Sequence, residues 1–452
     1  MRKISISTFL ILMVSLATAQ TNPVIINWLR NTTGITGRHY VSGNPTPITD
    51  AVLANVQTVQ YSANWSYVTT NGIPAYITGP FLDGNPSLAT SQAGAIFKFP
   101  LNPTQNTGTL TATTGGNIGL FKNGVALFDY RDGVSYKLST GANAGGPLGG
   151  TGDGVWNRDA IVAERGGFDC SKAHPAMGNY HHHQNPSAFN LDLTVISTVC
   201  NTYPSDGLYV ISPTEHSPLL GFAYDGFPIY GAYGYANADG SGGIVRMKSS
   251  YQLRNITVRT HYADGTNVTD GPAVNTTYPL GMYREDYEYV AHPTDASYLD
   301  VHNGRVCVTP EYPSGIYCYF ATVDVNHNSA YPYVVGPTFY GNKTAIKVIG
   351  GITETTTLYN PSLSNAAYEM ATFSVVIAPN PAQDFIAIQT QMAEQDLNVA
   401  LIDELGKVIK TSTISQGSTL AIIETDTIYN GIYFVRISDG KSAKSYKVII
   451  DK

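Results

Sequence analysis

Short apolar runs separated by Gly, Pro and Asn turns dominate the chain. Residues 56–61 alternate at period two, which predicts a β-strand. Residues 118–128 hold two apolar runs joined by Lys122-Asn123-Gly124, and an Asn-Gly step in this position is a strong hairpin signal. Long amphipathic helical windows are hard to find. The pattern therefore predicts an all-β protein.

The same pattern divides the chain into a large and a small β-domain. Residues 20–345 form a large, sandwich-like β-rich domain in this prediction. Residues 346–372 are rich in Thr, Asn and Ser and are predicted to be a linker. Residues 373–452 carry short alternating stretches with turns at close intervals, which predicts a small immunoglobulin-like β-sandwich. Its strands are expected near 376–381, 385–388, 399–403, 406–409, 431–437 and 446–450.

The first nineteen residues have the features of a secretory signal peptide. Arg2 and Lys3 precede an apolar run from Phe9 to Leu16, and Ala17-Thr18-Ala19 is a small-residue cleavage site. No other stretch approaches the roughly twenty apolar residues that span a bilayer. We therefore expect an exported chain that begins at Gln20 and has no transmembrane segment after cleavage.

Composition and charge narrow the classes of partner. The chain has 44 Gly, 25 Pro and 31 Tyr, and only 13% of its residues are charged. Its net charge of −7 and the absence of a Lys/Arg cluster along one face argue against nucleic acid and against anionic membrane surfaces. The abundance of Tyr favours an extracellular glycan or protein ligand, although Tyr is also an ordinary β-sheet residue.

Four cysteines in an exported chain favour disulfides over thiolate metal sites. Cys307 and Cys318 are equidistant from the centre of the turn 311–314, so a simple hairpin would set them opposite each other. That pairing leaves Cys170 with Cys200, on either side of the histidine stretch. Four reduced, buried cysteines are the alternative.

The candidate chemistry centres on Tyr180-His181-His182-His183, with His174 ahead of it. In an extended segment, His181 and His183 lie on one face and Tyr180 and His182 on the other. Two imidazoles at i and i+2 on a strand are a natural start for a zinc or copper site. A surface histidine run, or imidazoles that only form hydrogen bonds, is the competing interpretation.

Residues outside the histidine stretch are candidates for the third ligand and for proton transfer. His216 or His174 is expected to be the third nitrogen ligand. Asp225 is a candidate to orient a ligating imidazole, but Asp225-Gly226 also fits a turn whose carboxylate bonds its own backbone. In a hydrolytic version, Glu311 or Asp225 moves the proton of a metal-bound water.

Several motifs in order along the chain resemble the YHYH protein family, named for a Tyr-His-Tyr-His motif. The resemblance covers roughly 27–340 and implies the extent of the domain, but no reaction. The chain departs from the family pattern at three places. His182 replaces the second Tyr, Ser171 replaces an expected Cys, and Val301-His302 replaces an acidic residue and a Cys. The last departure makes His302 a further ligand candidate. The motif residues are 73–74, 78–80, 118–128, 169–170, 174–175, 180–183, 216–231, 285–287, 299–300, 303–305 and 309–313.

The C-terminal module resembles the sorting domain of the bacterial type IX secretion system. Pro379-Asn380-Pro381, Gly431-Ile432-Tyr433 and the last strand, from Lys447 to Lys452, carry the resemblance. It implies that residues 373–452 engage the type IX machinery and that the protein is secreted or held at the outer cell surface. An ordinary adhesive sandwich is the alternative.

Two classes of function follow from these residues. In the first, the large domain binds a divalent metal ion, zinc or copper, through clustered histidines and is a metal-dependent enzyme. In the second, it is an extracellular binding or adhesion module whose histidines are structural. No Gly-x-Ser-x-Gly, phosphate-binding Gly-rich loop or His-Glu-x-x-His occurs, which disfavours the commonest hydrolases and nucleotide-binding proteins.

Overall fold

The computed structural model describes residues 22–82, 93–146, 149–360, 375–390, 392–393, 395–403, 406–439 and 443–452. The signal peptide predicted at 1–19 lies outside these residues, as do residues 361–372 of the predicted linker. The chain divides into two compact units, Met1–Tyr359 and Asn360–Lys452. Strands dominate both units, so the all-β prediction is confirmed.

The large unit contains most of the strands, and nearly all of them are short. Its strands are β1 Thr36–Val41, β2 Asn44–Leu53, β3 Val56–Tyr61, β4 Trp65–Thr70, β5 Ile77–Thr78, β6 Ala95–Pro100, β7 Asn117–Phe121, β8 Ala126–Phe128, β9 Arg131–Lys137, β10 Ala142–Gly145, β11 Asn157–Asp159, β12 Ala173–Ala176, β13 Asn179–His182, β14 Leu219–Ala223, β15 Pro228–Tyr230, β16 Tyr233–Tyr235, β17 Ile244–Arg246, β18 Tyr251–Leu253, β19 Tyr287–Tyr289, β20 Gly304–Cys307, β21 Ile316–Phe320, β22 Ile346–Val348 and β23 Thr357–Leu358.

Within the described residues, two short α-helices interrupt the strands, and each begins with a capping side chain. In α1, Pro23–Ile26, the Asn22 side chain accepts from the Val24 N–H. In α2, Ala160–Glu164, Asp159 accepts from the Ile161 N–H. Side-chain caps of this kind satisfy donors that have no partner within the helix. Single 3-10 turns occur at Arg165–Gly167, Phe189–Leu191, Thr198–Asn201 and Arg284–Asp286.

Two sheets enclose the main core of the large unit. One has eight strands in the order β12-β13-β8-β7-β14-β15-β21-β20, and the other has five in the order β22-β6-β4-β3-β23. Their facing side chains meet: the rings of Phe99 on β6 and Phe222 on β14 are 6.2 Å apart, and Trp28 contacts both. Burial of these large rings from water supplies much of the driving force for packing.

The hairpin predicted at 118–128 is present at the centre of the eight-stranded sheet. Strands β7 and β8 pair antiparallel, and Gly124 has φ of 81°, which only glycine adopts easily. A Cβ at this position would lie 2.0 Å from the Thr70 hydroxyl oxygen, so the turn also packs closely. Strand β13 joins β8 in parallel, which places the histidine stretch at one end of the sheet.

Part of the predicted linker pairs with the large unit. Strand β22 is antiparallel to β6, and β23 is antiparallel to β3. These pairings place residues 346–348 and 357–358 in the five-stranded sheet. Because these strands are only two or three residues long and the segment is rich in Thr, the sequence pattern did not predict them.

In the part of the small unit that the structure describes, seven strands form two antiparallel sheets. The sheets have the orders β24-β25-β28 and β27-β26-β29-β30, and a separate apolar core includes Ile386, Leu401 and Val435. All six strand regions expected from the sequence contain strands, and β28 was not predicted. The strands are β24 Val376–Ala378, β25 Phe385–Gln389, β26 Leu397–Asp403, β27 Val408–Ile414, β28 Leu420–Glu424, β29 Gly431–Ser438 and β30 Ala443–Ile450.

Candidate metal centre

A tight hairpin at the edge of the eight-stranded sheet brings three histidines together. Strands β12 and β13 pair antiparallel with His174 directly opposite His181. Met177 and Gly178 both have positive φ in the connecting turn, and glycine accepts that conformation at little cost. The alternation of the extended chain then puts His183 on the same face as His181. The three imidazoles share one face of the hairpin.

The nitrogen atoms of these rings converge on a small volume. The Nε2 atoms of His181 and His183 are 3.0 Å apart. One ring nitrogen from each of His174, His181 and His183 lies within 4.8 Å of the others. This convergence is the geometry that the sequence interpretation required for a metal site.

Glu164, the last residue of α2, adds a carboxylate that the sequence did not indicate. Its Oε2 atom is 3.2 Å from His174 Nε2 and 3.3 Å from His183 Nε2. Burial raises the pKa of the Glu164 carboxyl, but the contacts with His174 and His183 outweigh burial and hold the pKa below its usual value. Glu164 is therefore a carboxylate, and the group contains three imidazoles and one anionic oxygen.

Backbone hydrogen bonds fix the tautomers of two of the histidines. His181 Nδ1 is 2.8 Å from the Asn179 carbonyl oxygen, and His183 Nδ1 is 2.5 Å from the Asp129 carbonyl oxygen. A carbonyl oxygen only accepts, so each Nδ1 carries the proton. Burial, followed by the neighbouring His183 and His174, lowers the pKa of His181 well below its usual value. When its Nδ1 carries the proton, a neutral imidazole presents a lone pair at Nε2.

The spacing of these lone pairs matches metal coordination. Zinc binds imidazole nitrogen at about 2.0–2.1 Å, so the ligand atoms of a regular tetrahedron are roughly 3.3 Å apart. Three of the six separations are 3.0, 3.2 and 3.3 Å, and the three ring nitrogens lie within 4.8 Å of one another. Two lone pairs and a carboxylate oxygen repel at these distances unless a cation or a shared proton lies between them. The residues present therefore fit a divalent ion.

Aromatic rings hold the histidines in place and keep the group dry. Phe128, at the end of β8, stacks on His181 with ring centroids 3.8 Å apart. Phe168 meets the His174 ring edge-on at 4.9 Å. The three histidines are 1–5% exposed, whereas the Glu164 side chain is 20% exposed and forms the side nearest solvent.

His182 and Tyr180 lie on the opposite face of β13, as the alternation predicts. The Tyr76 hydroxyl is 2.8 Å from His182 Nε2, and Tyr180 donates to the buried Asp169 carboxylate at 2.8 Å. Burial lowers the pKa of His182 to about 3 and raises the pKa of Asp169 to about 7. The extra imidazole of this chain therefore belongs to a hydrogen-bonded core, and the group of His174, His181 and His183 lies on the other face of β13.

His216 and His302 lie outside the group of three histidines. The His216 ring packs against Tyr230 and Tyr235, and its Nδ1 is 2.8 Å from the Ser217 carbonyl oxygen. His302 Nδ1 is 2.7 Å from the Thr338 hydroxyl oxygen. In this geometry His174 takes the place for which His216 was the other candidate. Sequence spacing did not distinguish them, because only the β12–β13 register brings His174 opposite His181.

The two predicted proton-transfer residues have other partners. Asp225 accepts from the Phe227 N–H at 3.2 Å, from the Gly341 N–H at 2.8 Å and from the Tyr319 hydroxyl at 2.5 Å. These bonds fit the turn interpretation, and burial raises the pKa of Asp225 to about 6. Glu311 accepts from the Tyr230 hydroxyl at 2.8 Å.

The cysteines form one disulfide between described residues. Cys170 and Cys200 are bonded, as predicted. Cys307 and Cys318 are free and buried, so the structure does not contain their predicted bridge. The expected register was wrong, because Cys307 pairs with Ile316 and Cys318 with Arg305. The Val308 N–H bonds to the Ala238 carbonyl oxygen, so the chain leaves the hairpin directly after Cys307.

Comparison with protein families gives one match in each of the two units. A model described as "YHYH protein" matches residues 96–332, just over half of the 452 residues. A model described as "Secretion system C-terminal sorting domain" matches residues 376–451. Among curated proteins, no sequence matches the chain. None of the helices in the described residues is both long and apolar enough to cross a membrane. The chain belongs to the YHYH protein family and ends in a secretion-system sorting domain.

Proposed function

We propose that this is an exported metalloprotein whose YHYH domain binds one divalent transition-metal ion through His174, His181, His183 and Glu164. The sorting domain indicates export by the type IX system to the cell surface or the medium. We also propose that the signal peptide is cleaved after Ala19 and that the protein is then anchored at the surface or released.

One observation carries the metal assignment. The Nε2 atoms of His181 and His183 face each other at 3.0 Å while both Nδ1 atoms donate to carbonyl oxygens. When both nitrogens are unprotonated, a metal ion between them offsets the repulsion of their lone pairs, and neutral imidazole is a common metal ligand. Metal-ligating histidines usually donate their other ring N–H to a carbonyl or carboxylate, as both do here.

The donor set favours zinc over copper. Three imidazoles and a nearby carboxylate are a donor set that suits tetrahedral Zn²⁺, whereas Cu²⁺ favours a square-planar or tetragonal arrangement. Bound there, zinc would join the end of α2 to the β12–β13 hairpin and could act as a Lewis acid. Four protein ligands close a tetrahedral site, which supports a stabilising ion more than a hydrolytic centre.

A second candidate function is catalysis at the same ion, and the exposure of Glu164 favours it. Its side chain is 20% exposed, so this ligand lies where a substrate would approach. The chain's own contribution would be to hold three neutral imidazoles and to release the Glu164 carboxylate as a base. The side chains that the sequence offered for that task, Asp225 and Glu311, have partners elsewhere.

Metal analysis of the full-length chain, purified without a histidine tag, tests the proposal. Elemental mass spectrometry is expected to find about one zinc ion per chain in the wild type. The His181→Ala/His183→Ala variant should lose it, whereas the matched control His216→Ala/His302→Ala should retain it. Equal metal content in the wild type and in the His181→Ala/His183→Ala variant would remove the assignment.

A further inference from the structure

A tyrosine-lined cavity of about 600 Å³ opens on the YHYH domain, and its lining does not include the histidine group. Strands β18 and β19 form one wall as a two-stranded antiparallel ribbon with Tyr251 opposite Tyr289. Tyr287 is two residues from Tyr289 and therefore lies on the same face of β19. The volume is typical of a small-molecule site. The cavity-lining tyrosines are Tyr251, Tyr262, Tyr287, Tyr289 and Tyr331.

The rings are held rigidly at different angles to one another. Tyr287 and Tyr331 stack with centroids 4.0 Å apart and planes 8° apart. Tyr251 meets Tyr331 edge-on at 5.5 Å and Tyr289 at 5.6 Å. Tyr331 is buried, whereas Tyr289 is 40% exposed at the rim. Fixed aromatic faces of this kind accept the weakly positive C–H groups of a ligand at low entropic cost.

Both arginines that line the cavity are paired with carboxylates. Arg284 Nε is 2.8 Å from Glu285, whose carboxylate also accepts from Asn157 at 2.9 Å. Arg131 Nε is 2.5 Å from Asp129. Because both arginines have carboxylate partners, the cavity has no unbalanced positive charge to attract an anion.

Further carboxylates make an anionic ligand still less favourable. Glu288 and Asp264 also line the cavity, and Glu288 accepts from Gln252 at 2.9 Å. The lining therefore combines arginine and asparagine donors with carboxylate acceptors. Sugar hydroxyls both donate and accept, so this mixed lining suits a neutral polyhydroxylated ligand.

A second cavity of about 320 Å³ extends the first one. The two share Arg131, Gly154 and Asn157 in their linings. Several glycines of the second cavity face open space, since a Cβ built there would meet no atom within 4 Å. A groove that continues over glycines accommodates a chain of units better than a single small molecule. These glycines are Gly115, Gly133, Gly150 and Gly154.

We propose that this groove binds a neutral oligosaccharide, with sugar rings against Tyr289 and Tyr251 and the chain continuing over Gly115. Apolar lining side chains are few in the larger cavity, namely Ala263, Val301 and Pro337, which disfavours a peptide held by hydrophobic anchors. The inference is independent of the metal ion, because no residue of the histidine group lines either cavity.

Calorimetric titration of the full-length chain with cellohexaose, xylohexaose, mannohexaose and laminarihexaose tests this inference. We expect at least one of them to bind and Tyr289→Ala to weaken that binding about tenfold, through loss of one aromatic face. Gly115→Trp should obstruct the second cavity and weaken that binding by a similar factor. The matched controls are Tyr429→Ala, at a tyrosine that is 88% exposed in the small unit, and Gly108→Trp.

Four results overturn the inference. The first is that no neutral hexasaccharide binds. The second and third are that only polygalacturonate, or only members of a peptide library, bind. The fourth is binding of a neutral hexasaccharide that neither Tyr289→Ala nor Gly115→Trp changes. Circular dichroism of each variant establishes that it is folded. Gly115 does not need a positive φ, and a Cβ built there meets no atom within 4 Å, so the backbone accepts a side chain at this position.

Discussion

The Nε2 atoms of His181 and His183 lie 3.0 Å apart, and hydrogen bonds to carbonyl oxygens hold a proton on the Nδ1 atom of each ring. Glu164 brings a carboxylate oxygen to within 3.3 Å of His183. This arrangement is electrostatically unfavourable when both rings are neutral and no cation is present, and it is favourable around a divalent cation. The contacts of the β12–β13 hairpin are therefore the main support for the proposed metal site.

Glu164→Gln tests whether the carboxylate is a ligand. The amide keeps the shape but loses the negative charge, so zinc affinity should fall by about 10–100-fold. Competition with a chromophoric chelator measures this change. Glu215→Gln, at an exposed acidic residue next to His216, is the matched control and should leave the affinity unchanged. Unchanged affinity in Glu164→Gln would show that the histidines bind the ion alone.

His182 should make the metal-free protein sensitive to acid. Its folded pKa is about 3, below the usual 6.5, because burial disfavours the charged ring. Between these values the unfolded chain binds the extra proton, so stability falls as pH decreases from 6.5 towards 3. Relative to His182→Gln, the wild type should lose about 3 kcal/mol between pH 6.5 and pH 4.

Urea unfolding with a chelator present measures this difference at the two pH values. The comparison with His182→Gln cancels the contribution of the other titrating groups, among them Asp169, whose pKa is raised. Parallel stability profiles for the two proteins would mean that His182 is solvated or protonated in the folded state.

Much of the histidine site followed from period-two alternation alone. Residues two apart on a strand share a face, so His181 and His183 could be paired from the sequence, and Tyr180 and His182 assigned to the other side. His174 required the register of the β12–β13 hairpin, which the Met177-Gly178 turn fixes.

Glu164 could not be derived in this way, because its position depends on how α2 docks against the hairpin. That contact is long-range, and no local pattern encodes it. The one signal was an acidic residue shortly before the histidines in a chain with only 13% charged residues. The predicted Cys307–Cys318 pairing was wrong for a related reason. The backbone hydrogen bond from the Val308 N–H to the Ala238 carbonyl oxygen ends the strand pairing earlier than a symmetric turn suggested.

Thiol counting tests the assigned cysteine states. Under denaturing conditions the wild type should show two reactive thiols, Cys307 and Cys318, and four after reduction. Cys170→Ser/Cys200→Ser should destabilise the domain by about 3–4 kcal/mol, because the bridge closes a loop of about 30 residues in the unfolded chain. No reactive thiol before reduction would establish the Cys307–Cys318 bridge.

Deletion of residues 373–452 tests the export route. The sorting domain is expected to be required for passage through the outer membrane, so the truncated chain should accumulate in the periplasm. Cell fractionation with immunoblotting measures its location. The full-length His181→Ala/His183→Ala variant is the control and should still be exported. Surface display of the truncated chain would assign another role to the small domain.

X-ray absorption spectroscopy at the zinc edge of the untagged, full-length protein tests the central claim most directly. The account predicts a first shell of three imidazole nitrogens and one carboxylate oxygen at about 2.0–2.1 Å. That shell should lose nitrogen scatterers in His174→Ala and remain unchanged in His216→Ala. A shell that contains sulfur, or one that His174→Ala leaves intact while His216→Ala alters it, would contradict the proposed site.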